Sequence, residues 1–106
     1  MSDPADQIEI PTSFRALHLD ARQRLTLTLR DLHEHYELCE DLAQQLVDSA
    51  RDRHASLGVA EDEVLTRCHR GLLHPVPLLE PAEAAWVTRR LAELLGWDWE
   101  SWAPAD

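Results

Sequence analysis

The stretch LTLTLRDLHEHYELCEDLAQQLVDSARDRHASL, residues 25 to 57, decides the fold. Small or apolar side chains return in it at alternating steps of four and three: Leu25, Leu29, Leu32, Tyr36, Cys39, Ala43, Leu46, Ala50 and Leu57, with Arg53 as the one break. That spacing holds one stripe on one side of a helix, and Asp, Glu, Arg and Gln fill the other sides. At the helical rise the stretch predicts a rod roughly 50 Å long, a spine for the rest of the chain. The alternation Leu25-Thr26-Leu27-Thr28-Leu29 would pass for a strand by itself, and Thr26 and Thr28 weaken helix propensity. The heptad runs through it and no second strand is available, so the helix is expected to begin at Leu25.

Outward from the spine, the flanking punctuation is local. Gly58 stands where a left-handed closing residue is wanted. Glu61, Asp62 and Glu63 then face the positive end of a second helix, whose apolar face is Val64, Leu65, Cys68 and Leu72. Spine and second helix therefore form an antiparallel hairpin. His74-Pro75-Val76-Pro77 cannot be helical, because proline restricts the residue before it. Glu80-Pro81-Ala82-Glu83 opens a last helix, with Pro81 suited to the first position. Ala84, Val87, Leu91 and Leu94 form its buried line, Trp86 and Leu95 flank it, and Gly96 closes it with Trp97 folded back. Before the spine, Thr12 or Ser13 caps a short helix with Phe14, Leu17 and Ala21 on one face. Asp20 either continues that helix or caps a new one.

These elements predict an all-α domain, a three- to four-helix bundle organised around one long central helix. Residues 1–10 are expected to be a flexible arm, 11–97 the helical domain and 98–106 a tail carrying Trp99 and Trp102. With 106 residues and 44% hydrophobic content, the chain has room for one modest core. Its formal charge is −10, from 20 acids against 10 bases, all of them Arg. Such a surface repels phosphates and anionic headgroups, so neither nucleic acid nor an acidic membrane is an expected partner. The first residues lack the basic start and apolar run of a secretory signal, and no apolar run could span a bilayer. Two cysteines in such a chain fit a reducing compartment, and a cytoplasmic location is expected.

Six histidines and two cysteines raise a metal hypothesis. His35 and Cys39, four apart, would share one side of the spine. Cys68 and His69 offer another pair, but the hairpin register puts Cys68 roughly 15 Å from Cys39 along the rod. That separation excludes both a shared zinc and a disulfide, leaving two buried thiols. Glu34, Glu37, Glu40 and Asp41 lack the Glu-x-x-His partners of a di-iron bundle and are read as a solvated face. His33 with Glu37 is read in the same way. No phosphate loop, dinucleotide turn or nucleophile elbow occurs, and the three glycines are all accounted for as helix punctuation. No catalytic residue and no cofactor are expected.

Three further segments carry a resemblance: Gln7-Ile8-Glu9-Ile10-Pro11-Thr12-Ser13-Phe14, Tyr36-Glu37-Leu38-Cys39-Glu40-Asp41-Leu42-Ala43, and Ala84-Ala85-Trp86-Val87 continuing to Leu95. Together they resemble a group of short bacterial proteins sometimes labelled "ATPase with chaperone activity". An ATPase of the usual kinds needs a phosphate-binding loop, so the resemblance implies a chaperone-associated role rather than catalysis.

The functional expectation is a small protein-interaction module, an adaptor or regulatory subunit, with the spine as its candidate homodimer interface. Its contact residues would be the part of the stripe with fewest partners, Leu25, Leu29, Leu32 and Tyr36, and the tail tryptophans Trp99 and Trp102. The alternative is a small metal- or cofactor-binding helical protein using His35 and Cys39.

Overall fold

A computed structural model describes residues 9–104. Most of the expected N-terminal arm lies outside the described residues, as do the last two residues of the tail. The chain is an all-α bundle organised around one long helix. In order, α1 is Thr12–Arg15, followed by a 3₁₀ turn at Ala16–His18; α2 is Leu29–Leu57, α3 Glu61–Leu73 and α4 Pro81–Leu95. Two units divide the chain, one ending at Leu38 and one beginning at Cys39, so the boundary falls within α2.

In the first unit, the region between the 3₁₀ turn and α2 corrects the expected helix start. Leu19 pairs with Leu25 as an isolated antiparallel bridge. Between them Asp20 closes a tight loop: its Oδ1 accepts the Arg22 and Arg24 amides at 2.8 and 3.0 Å. Its own amide donates to the Arg24 carbonyl at 2.8 Å, and Gln23 takes a positive φ of 63°. The loop returns on the His18 carbonyl, which accepts both the amide and the hydroxyl of Thr26. Leu25 therefore belongs to a loop, and the heptad acquires helical backbone only at Leu29. Thr28 sets that start, since its Oγ1 accepts the Asp31 amide at 3.1 Å while Asp31 faces the first turn's positive end. The predicted first helix is likewise only one turn of α followed by one of 3₁₀. Phe14 is fully buried and packs against Tyr36 with ring centroids 5.5 Å apart. Ala21, expected on the buried face, is exposed in the Asp20 loop.

The second unit is the hairpin and its cover. Gly58 closes α2 at φ +69°, as expected, and the Val59 amide reaches back to the Arg53 carbonyl. The acids Glu61, Asp62 and Glu63 occupy the first turn of α3, and Val64, Leu65, Cys68 and Leu72 are all buried. Pro81 opens α4 and Gly96 ends it at φ +74°. The Trp97 amide donates to the Ala92 carbonyl and the Gly96 amide to that of Glu93, which satisfies two orphan carbonyls in a Schellman arrangement. One core joins the three helices through Ala50, Val64, Leu65, Cys68, Leu91 and Ala92. Trp102 closes the same core, so the tail folds back over the bundle rather than standing free.

One expected surface is corrected here. Glu40 is not part of a solvated face: its carboxylate takes a two-pronged contact from Arg90 of α4, at 2.8 and 2.9 Å. Arg90 also reaches Glu93 at 2.7 Å. The guanidinium bond holds the Glu40 carboxyl below its ordinary range, so the pair stays ionised through neutral pH.

Candidate functional site

At the Gly58 end of the second unit, three pieces of chain leave an open cleft of about 660 Å³. His54 comes from the last turns of α2, Glu61, Asp62, Leu65 and Thr66 from the start of α3, and Asp98, Ser101 and Trp102 from the segment after α4. Local chemistry places each of them. The left-handed Gly58 reverses the chain, and His54 then braces the reversal, its Nδ1–H donating to the Val59 carbonyl at 2.8 Å. A carbonyl can only accept, so this contact puts the proton on Nδ1 and turns Nε2 toward Glu61, whose Oε1 lies 4.0 Å away. Trp97, tucked under the end of α4, meets the His54 ring edge-on at 5.1 Å.

The other wall is held by Asp98, which accepts the Ser101 amide at 3.2 Å and the Ser101 hydroxyl. Those bonds, the hydroxyl first, lower the Asp98 pKa and keep it anionic. The turn they make delivers Trp102 to the cleft lining, with its indole N–H directed at Thr66 Oγ1 at 3.4 Å. The lining combines the buried Leu65 and Trp102 with three exposed carboxylates, Glu61, Asp62 and Asp98, and the imidazole of His54 is its single basic group. In physical terms it suits a cationic group on an apolar stem, which could rest on the indole while the charge meets the carboxylates.

A smaller hollow of about 280 Å³ continues along α3 past Thr66, between His69, Arg70, Leu73 and His74. His69 stacks edge-on against the other side of Trp102 at 5.3 Å. Burial first and His74 second push its pKa down, so it is neutral at pH 7.

The residues singled out from sequence are distributed unevenly. Leu32 is fully buried and Leu25 and Tyr36 are half-buried, so of the proposed interaction stripe only Leu29, 60% exposed, is open to a partner. The tail tryptophans separate: Trp99 is 41% exposed and Trp102 lies in the core. His35 lies against His18, in a T-shaped contact at 5.5 Å. Cys39 is fully buried, and burial, helped by the charge of Glu83, pushes its thiol up to about 12. A thiol so protonated is a poor ligand at neutral pH. Burial likewise raises the Cys68 pKa. His33 was expected on a solvated face, yet its Nδ1 is buried and has no hydrogen-bond partner among the described residues.

His54 and Asp98, which shape the cleft, had no motif to announce them. The only signals were the nearness of His54 to Gly58 and the Asp-x-x-Ser spacing before Trp102. Glu61 and Asp62 were legible as dipole partners of α3, but not as a cleft wall. Comparison with protein-family models, with curated proteins and with solved structures returned no match.

Proposed function

We propose that this chain is a non-catalytic interaction module, an adaptor or regulatory subunit, that docks a basic segment of a partner protein in the cleft between α3 and residues 98–103. The observation that carries the reading is that one cleft is lined by both the Trp102 indole and three carboxylates. The net charge of −10 supports it, since the whole surface attracts a basic partner and repels phosphate. Further support comes from Leu57 and Trp99, which are exposed at 69% and 41% and belong to the segments that flank the cleft. Both offer apolar area to a partner's neighbouring side chains. A chaperone-associated role, which the bacterial resemblance implies, is compatible with such a surface. No helix among the described residues is long and apolar enough to cross a membrane.

The test is a tryptophan-fluorescence titration with a short peptide alternating Arg and Leu and with its Glu–Leu counterpart. The basic peptide alone is expected to bind, more weakly as salt is added. Asp62→Arg, which changes an exposed position, is expected to abolish that binding without altering helicity. Equal response to both peptides, or full binding by the Asp62→Arg variant, would overturn the proposal.

A further inference from the structure

The first unit places two imidazoles face to edge where the helix pattern alone did not pair them. His18 ends the 3₁₀ turn and His35 lies one turn and a half into α2. Their rings are 5.5 Å apart at 77°, and each offers a ring nitrogen within 4.8 Å of the other's. Both side chains are half-buried, out of bulk water but not sealed. The backbone of His18 is held from the far side, because its carbonyl accepts the Thr26 amide at 2.8 Å and the Thr26 hydroxyl at 3.1 Å. Phe14 completes the wall: its ring packs on His18 at 5.5 Å and on Tyr36 at 5.5 Å. The Asp20 loop, by folding residues 19–25 back on themselves, is what carries His18 to α2.

The geometry points to a divalent transition-metal site, with His18 and His35 as its two imidazole ligands. Zinc–nitrogen bonds are about 2.0–2.1 Å, so two nitrogens sharing one ion stand roughly 3.3–4.2 Å apart, from tetrahedral to linear. The ring nitrogens, within 4.8 Å of each other, are close to that range. Imidazole is a borderline donor that suits zinc, copper and nickel and does not suit calcium or magnesium. Phe14, packed on His18, limits how that ring can turn away from His35. This site shares no residue with the peptide cleft.

The experiment uses the full chain, with thermal unfolding recorded in equimolar Zn²⁺ and again after EDTA. An upward shift in Tm that EDTA reverses is expected for the wild type. It should be lost in His18→Ala and in His35→Ala, and kept in His74→Ala, an exposed histidine elsewhere. Since either alanine could disturb the first unit, Cu²⁺ binding to folded wild-type protein supplies the second readout, with two nitrogen couplings expected in its electron paramagnetic resonance spectrum. No zinc-dependent shift in the wild type, an undiminished shift in both variants, or a copper spectrum with no nitrogen coupling would each overturn the assignment.

Discussion

Replacing Trp102 by Ala isolates the contribution of the tail to the core. The indole is 6% exposed and packs on the cluster formed by Ala50, Val64, Leu65, Cys68, Leu91 and Ala92. An aromatic side chain buried in this way removes about 150–250 Å² from water. At about 25 cal/mol/Å² that corresponds to about 4–6 kcal/mol. Residual compactness of the unfolded chain trims such figures by roughly 10–40%, to about 2–5 kcal/mol. The range agrees with the ~3–5 kcal/mol typical of Trp-to-Ala changes in cores. The indole N–H adds little, because its 3.4 Å contact with Thr66 is at the long limit for a hydrogen bond. Against a total stability of about 5–15 kcal/mol this is a large fraction, and it corresponds to a fall in Tm of roughly 8–40 °C. Urea unfolding followed by far-UV circular dichroism measures it, with Trp99→Ala as the companion. Trp99 is 41% exposed, and its loss should cost under about 1 kcal/mol. If the two variants are destabilised equally, or Trp102→Ala by less than about 1 kcal/mol, residues 98–103 do not close the core.

Three further outcomes follow from the same physics. The Glu40 carboxyl has a lowered folded pKa, so its pairing with Arg90 contributes stability above the ordinary carboxylate value of 4.5, and that contribution is lost as pH falls through the folded value. Urea midpoints measured from neutral pH downward should therefore fall below pH 4.5, and the Glu40→Gln variant should show a shallower decline. Thr28→Ala removes the acceptor for the Asp31 amide and should cost about 1 kcal/mol, with Thr28→Ser restoring most of it in the same unfolding assay. Both thiols are buried and raised in pKa, so a disulfide reagent at pH 8 should label native protein slowly and label two cysteines per chain promptly in denaturant; fast native labelling of Cys39 would contradict its burial.

Much of the helical order was written locally. Gly58 and Gly96 end helices because a residue without Cβ accepts the left-handed backbone, and Pro81 begins one because its missing amide would have no partner there. The buried face of α3 followed from spacing alone, and all four of its predicted residues are buried. Periodicity misplaces the start of α2 because it reports which side chains are apolar, not which backbone carries them. Leu25 continues the heptad while belonging to a loop. The Thr28-x-x-Asp31 cap was the competing local signal, and the carboxylate of Asp20 supplies the turn that lets it win.

The amino-acid order by itself therefore determined the helical class, the hairpin at Gly58, the α3 and α4 boundaries and the acidic character of the surface. Each of these rests on interactions within a few residues or on a sum over the whole chain. Tertiary structure alone decided which tail tryptophan is core and which is surface, that Glu40 is claimed by Arg90 fifty residues away, and that His35 meets His18. Such pairings depend on loop closure and on which faces are brought together, and a side chain's spacing along its own helix carries no record of either.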